Sequence, residues 1–333
     1  MPSPEPSESR PVLLGLPFDA LTAGQALDRI FLYAAQGPGA EGCRSVATVN
    51  VDFIVNTWSP FRDLPRDPAL AAILRRADLT VPDGMPLVWL SKLQGTPLPE
   101  RVTGADLVPL IAERAAKEGR KLFFLGGAEE YTRRAAEMLT KRHPGLEIEL
   151  ECPFVRLDAP DAEEKDRELC AKINASGAAI LLIAFGNPKQ ELWLERNRRR
   201  LDCGVAIGVG GTFNFIAGAV KRAPLWMQRS GTEWIYRIIQ EPGRLWKRYC
   251  AGLFLFGIMA LRVVCNRPLP GGAELSPGGT GKELKVTGKK RFSPAALETL
   301  LRYGKAHPVP VAGLTKRQLR QLRAAKLADL IDR

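Results

Sequence analysis

Histidine is almost missing from this chain. Only His143 and His307 occur among 333 residues, so a histidine metal centre or a Ser-His-Asp triad has almost no material to be built from. No metal is expected, and any general base is expected to be a carboxylate. The six cysteines (Cys43, Cys152, Cys170, Cys203, Cys250, Cys265) include no C-x-x-C pair and read as reduced core or surface residues. No G-x-G-x-x-G is present, which argues against a nicotinamide dehydrogenase. The longest uncharged apolar run, Tyr249 to Leu261, falls short of the roughly 20 residues that a bilayer-spanning helix needs. Met1 to Pro11 is rich in Pro, Ser and Glu, with neither a basic start nor an apolar h-region, so no signal peptide is expected and the protein is assigned to the cytoplasm.

Charge is unevenly spread. Residues 1–220 hold 26 Lys and Arg against 29 Asp and Glu, net −3, whereas residues 221–333 hold 22 against 7, net +15. The first part is an ordinary, slightly acidic enzyme-like body; the last third is a cationic appendage suited to anionic lipid or nucleic acid. A nucleic-acid-binding protein using Thr315 to Arg323 as a basic helix is the alternative reading. It has no helix-turn-helix, RNA-binding signature or aromatic-interleaved basic strand to support it, and no nucleic acid is expected as a partner.

Apolar periodicity orders the first two thirds. Val12 to Leu16 and Arg44 to Val49 read as strands around a helix from Thr22, its N-cap, to Gln36. Helix Ala69 to Arg76, a short strand at Leu79 and Val81, and helix Met85 to Leu93 follow. Then come helix Ala105 to Lys117, strand Lys121 to Leu125, helix Glu129 to Arg142, strand Leu146 to Leu150, helix Glu163 to Asn174, strand Ala178 to Ala184, helix Lys189 to Arg199 and strand Gly204 to Val209. This alternation predicts an α/β fold with a Rossmann-like parallel sheet covered by helices. The strands are expected to stop at Ala223. The division expected is a disordered 1–11, a Rossmann-like domain 12–222, a membrane-associating helical appendage 223–265, a Gly/Pro-rich flexible linker 266–290 and a small basic helical tail 291–333. Arg198 to Arg200 reads most simply as a solvated helix end.

Several polar groups fall just after strands, where open α/β folds bind ligands. They are Thr48 and Asn50, the turn Pro82-Asp83-Gly84, Gly126-Gly127, the run Pro188-Lys189-Gln190-Glu191, and the glycine loop Gly208, Gly210, Gly211 with Thr212. Glycines let backbone N–H groups approach an anion closely, and a threonine hydroxyl can add a hydrogen bond. A partly buried Asp83 oriented by Asn50, Arg101 and Gln190 is suited to proton abstraction. Gln190 cannot titrate, so its use is hydrogen bonding to a sugar or phosphate.

In order along the chain stand Thr48-Val49-Asn50-x-Asp52, Ala77-Asp78-x-x-x-Pro82-Asp83-Gly84, Arg101-Val102-x-Gly104-x-Asp106, Phe123-x-Leu125-Gly126-Gly127, Phe185-Gly186-x-Pro188-Lys189-Gln190-Glu191, Gly208-Val209-Gly210-Gly211-x-Phe213, Lys221-Arg222-Ala223-Pro224 and Glu233-Trp234-x-x-Arg237. With these eight motifs, residues 12–249 resemble the WecG/TagA/CpsF family of bacterial glycosyltransferases. The resemblance implies an inverting, metal- and cofactor-independent transfer from a UDP-sugar, N-acetylmannosamine or a related hexose, to a polyprenol-diphosphate-linked sugar in cell-surface polysaccharide synthesis. It makes Asp83 the general base, with Thr48, Asn50, Arg101 and Gln190 as active-site partners. On the donor side it implies Gly126, Gly127, Gly208, Gly210, Gly211, Thr212 and Asn214, the last standing where the family commonly has Asp. Arg237, Arg244 and Lys247 would reach the lipid diphosphate, and Phe254, Leu255, Phe256, Ile258 and Met259 would dip into an anionic membrane surface on the cytoplasmic face. An aromatic face near Trp226 suits a homo-oligomer contact.

Overall fold

The structure is a computed structural model that describes residues 10–62, 64–266, 268, 272–277, 283–304 and 308–332. In chain order the elements are β1 Val12–Leu13, β2 Leu16–Pro17, α1 Ala23–Gln36, β3 Arg44–Val49, α2 Val51–Thr57, α3 Pro68–Arg76, β4 Leu79–Pro82, α4 Met85–Gln94, α5 Gly104–Glu118, β5 Leu122–Gly126, α6 Glu129–Arg142, β6 Ile148–Glu151, α7 Ala162–Ala175, β7 Ile180–Ala184, α8 Lys189–Asn197, β8 Val205–Gly208 and α9 Thr212–Ile216. Beyond these come α10 Leu225–Arg229, α11 Glu233–Gln240, α12 Pro242–Cys265, β9 Glu274–Pro277, β10 Leu284–Thr287, α13 Pro294–Tyr303, β11 Val309–Ala312, α14 Lys316–Ala324 and β12 Ile331–Asp332.

Six strands form one parallel sheet in the order β4-β3-β8-β7-β5-β6. Alternate residues of each strand enter different cores. Val46, Val81, Phe124, Leu182 and Ile207 pack under α1, α5, α6 and α9. From the opposite face, Ala47 and Val49 meet α2, α3 and α12, while Phe123, Leu125, Leu181, Ile183 and Ala206 meet α7 and α8. Burial on both faces is what the near-continuous apolar strands require. The chain leaves β5 toward the β6 edge but leaves β7 toward β8, so a crevice opens between their carboxyl ends.

Several local expectations hold in atomic detail. Thr22 caps α1 with a full capping box, its hydroxyl accepting from the Gln25 amide while the Gln25 side chain accepts from the Thr22 amide. Strand β3 has the expected ends. Others change. Val12 to Leu16 is two short strands folded at Leu14 and Gly15, both at positive φ. Asn50 starts a helix that periodicity did not show, α2, its side-chain oxygen accepting from the backbone amides of Asp52 (3.0 Å) and Phe53 (3.3 Å). Arg198 is buried, binding the Cys43 carbonyl and Asp78, because the chain turns back across it into β8.

The largest differences follow residue 265. Strands do not stop at Ala223: β9 to β12 form a second sheet, β12-β11-β10-β9, and two of them lie in the stretch expected to be a linker. Leu275 and Leu284 are buried there with Phe292, Leu297, Leu300 and Leu322, so the tail is a mixed α/β module with a core of its own. The remainder of that stretch (267, 269–271, 278–282), like the N-terminal 1–9 expected to be disordered, lies outside the described residues. The module is bolted to the body. Arg75 pairs with Asp329 at 2.6 Å and donates to the Lys326 carbonyl, and the buried Lys326 ammonium donates to the carbonyls of Ser59 (2.7 Å) and Arg62 (3.0 Å).

Candidate active site

Parallel pairing of β3 with β4 sets Val49 beside Pro82, so Asn50 and Asp83 leave the sheet side by side. The Asp83 amide donates to the Val49 carbonyl at 2.7 Å. The next residue, Gly84, takes a φ of 154° and caps α4. Asp83 keeps some exposure, yet protein surrounds its carboxyl, and this desolvation pushes it up to about 7. Arg101 opposes the rise, Glu233 and Asp106 add to it, and Arg237 opposes it more weakly.

Within electrostatic reach of Asp83, four side chains close a ring of alternating charge. Arg101 pairs with Glu233 (2.7 Å) and Asp106 (3.5 Å), while Arg222 pairs with Asp106 (2.6 Å) and Glu233 (3.8 Å). Asp106 stands in the first turn of α5, steadied by Thr103; Glu233 is the first residue of α11. All four side chains are partly buried, which gives such pairs more weight than surface ones. Sequence reading assigned a role to Arg101 alone. Asp106, Arg222 and Glu233 were visible only as members of motifs, with nothing to say that they meet.

The glycine side of the rim is organised differently. Gln190 is buried, its side-chain oxygen accepting from the amides of Gly186 (3.1 Å) and Gly210 (3.3 Å), so it ties the β7 and β8 loops together. A Cβ at Gly208 would collide with the Gln190 amide. The Thr48 hydroxyl donates to the Gly208 carbonyl at 3.1 Å, and the Thr212 hydroxyl to the Val209 carbonyl at 2.7 Å. Gly126 and Gly127 both turn at positive φ in the β5–β7 crevice; Phe185 crowds the first and Thr132 the second. Glu191 is buried, accepts from the Asn187 side-chain Nδ2, and is raised by burial to about 7. Lys189 donates to the Val155 carbonyl. Asn214 lies in α9, its carbonyl accepting from the amides of Ala219 and Val220.

Of the cations expected at the lipid diphosphate, Arg237 lies over the Phe215 ring at 5.3 Å, within electrostatic reach of Asp83. Lys247 is exposed on α12, and the side chain of Arg244 lies outside the described residues. Phe256 and Met259, expected at the membrane, are buried against the body. The exposed side of α12 carries Phe254, one of the residues expected there, with Trp246, Cys250, Gly257 and Leu261. Leu245 to Cys265 is long and apolar enough to cross a bilayer by length and composition, but its other side packs on α2 and α4. Trp226 is exposed. Among the described residues, no three His, Cys, Asp or Glu side chains gather as a metal site would require.

Comparison with known proteins matches this architecture to a described group. Residues 11–268 match the profile of the glycosyl transferase WecG/TagA/CpsF family. The chain is similar to an N-acetylglucosaminyldiphosphoundecaprenol N-acetyl-beta-D-mannosaminyltransferase of Bacillus spizizenii, 35% identical over 184 residues that cover 55% of this chain and 68% of the relative. The protein of the same name from Bacillus subtilis is 31% identical over 177 residues, covering 53% of this chain and 66% of the relative. With the family profile spanning the whole parallel sheet and helices α10 to α12, the chain belongs to the WecG/TagA/CpsF family of glycosyl transferases.

Proposed function

We propose that this enzyme transfers a sugar of the N-acetylmannosamine type from a UDP-sugar to a polyprenol-diphosphate-linked sugar, with inversion and with Asp83 as general base. The observation that carries the reading is the Asp83 carboxyl, poised at about 7 at the rim of the sheet. A sugar hydroxyl is a poor nucleophile until its proton is taken, and a base matched to neutral pH does this best. In one displacement the acceptor O–H proton passes to Asp83 and the oxygen bonds to the donor's anomeric carbon. The bond from that carbon to the diphosphate breaks on the opposite side, releasing UDP. Charge on the leaving diphosphate needs donors or cations. Arg101, Arg222 and Arg237 are close to Asp83 or to its ring, whereas the hydroxyl of Thr212 and the amide of Gly210 already serve the loop. The names of the two relatives support the acceptor class.

We further assign the enzyme to the inner face of the plasma membrane, with α12 lying along the surface. Its uncharged exposed stripe, with Lys247 beside it, is the arrangement of an interfacial helix. Incubation with a synthetic prenyl-diphosphate N-acetylglucosamine and a panel of UDP-sugars tests the reading. A product heavier by one sugar, formed equally in EDTA, is expected; no transfer from any donor would sink it.

A further inference from the structure

Helix α11 stands beside Asp83 with its side chains half-buried or exposed. None of its side chains is fully buried. Among the described residues its polar attachments include the ion ring through Glu233, the stacking of Arg237 on Phe215 and a hydrogen bond from the Gln240 side chain to the Lys221 carbonyl, and it packs on α10 and α12. Just before it, Gly231 presses so closely on Met85 and Trp89 of α4 that a Cβ would overlap them. That contact seats the turn between α10 and α11 on the helix that begins two residues after Asp83.

We infer that Glu233 is a positioning residue for the transfer: through Arg101 and Arg222 it docks α11 beside Asp83 and couples that docking to the charge on the carboxyl. The inference rests on Asp83 being the base. Among the described residues, the charged groups that act most on that carboxyl are Arg101 from the loop before α5, Asp106 from α5, and Glu233 and Arg237 from α11. Arg222 completes the ring behind them. Docking therefore adds one negative and one positive group and removes water. The negative group weighs more than Arg237, and burial weighs most, so the docked helix makes Asp83 a stronger base than it would be in an open rim. The arginines meanwhile have their charge balanced by carboxylates before any diphosphate arrives. A phosphate group entering the ring would compete with Glu233 and Asp106 for the same guanidiniums.

Glu233→Gln separates these roles because it keeps the shape of the side chain and removes its charge. The Asp83 carboxyl is followed by ¹³C NMR titration of the full-length protein, its signal assigned by its loss in Asp83→Asn. In Glu233→Gln its midpoint is expected to fall by roughly half a unit to one unit, and amide exchange over residues 225–240 to quicken at least about tenfold. The acidic limb of kcat/KM should move down with the NMR midpoint. A part played only in packing would lower activity without moving the midpoint, so an unmoved Asp83 signal overturns the inference. Arg222→Gln opens the ring from its other side and is expected to quicken the same exchange; if neither variant does, α11 is not held by the ring. Should Asp83→Asn retain turnover while Glu233→Gln still shifts the Asp83 midpoint, the base assignment falls and the coupling stands.

Discussion

The two sides of the sheet's rim are built from different kinds of bond. On the β7–β8 side, Thr48, Gln190, Thr212 and the glycine loop satisfy one another through short hydrogen bonds, mostly to backbone. On the β4 side, Asp83, Arg101, Asp106, Arg222 and Glu233 interact by charge, the Arg101–Glu233 ion pair spanning 132 residues of sequence. The first serves as a frame: the side-chain oxygens of Thr48, Gln190 and Thr212 are engaged with the loops they hold. The second carries charge that a substrate can compete for. Strand-end placement alone makes both look like site residues, and only bonding partners tell them apart.

If that division is right, breaking the charged side should cost most. Asp83→Asn is expected to fold, bind UDP and lose roughly 10²- to 10⁴-fold in kcat; turnover within tenfold of wild type would remove the distinction. The intact enzyme should gain activity as pH rises through about 7, as Asp83 loses its proton. On the frame side, effects should appear in stability. Glu191 is raised from 4.5 to about 7 in the folded protein, so between these values the folded state holds a proton that the unfolded chain has released. Its contribution is present below about 4.5 and lost as pH rises through about 7. Glu191→Gln should therefore gain up to roughly 3 kcal/mol over wild type between pH 5 and pH 8, read by urea denaturation at both; a constant difference would contradict a neutral buried carboxyl. Gly208→Ala should cost about 1–3 kcal/mol by displacing the Gln190 amide, seen as a lower denaturation midpoint. Thr48→Val, which removes one hydrogen bond to the Gly208 carbonyl, should cost only about 1 kcal/mol and hold kcat/KM within tenfold. A larger loss in turnover would move Thr48 to the reactive side.

Much of the parallel sheet was legible because its strands are short apolar runs between amphipathic helices, and the motif residues fall at their ends. What was hidden depended on distant partners. Asn50 is the local exception: it reads as a site residue, and its side-chain oxygen also caps α2, a helix too short to show a period. Arg198 looked solvated, since nothing local revealed Asp78 and the Cys43 carbonyl waiting for it. Strands β9 and β10 hide among Gly and Pro with only Leu275, Leu284 and Val286 as apolar content; their burial comes from α13 and α14. Arg101 was identifiable from its motif, whereas Glu233, its strongest partner, stands across the domain in sequence and close in space.

The N-terminal hairpin has a consequence for biosynthesis. Val12 is buried with the C-terminal module while Leu13, Leu14 and Leu16 are buried with the body, and Arg10 donates its amide to Glu298. A ribosome delivers residues in order, so Val12 must wait until residues 273–331 have been made before its partners in that module exist. At about 5–20 residues per second, that wait lasts tens of seconds, during which Val12 and the Arg75 side chain lack their final partners. Emerging chains should thus carry an unfinished seam, open to chaperones and proteases, that closes only as the last module folds.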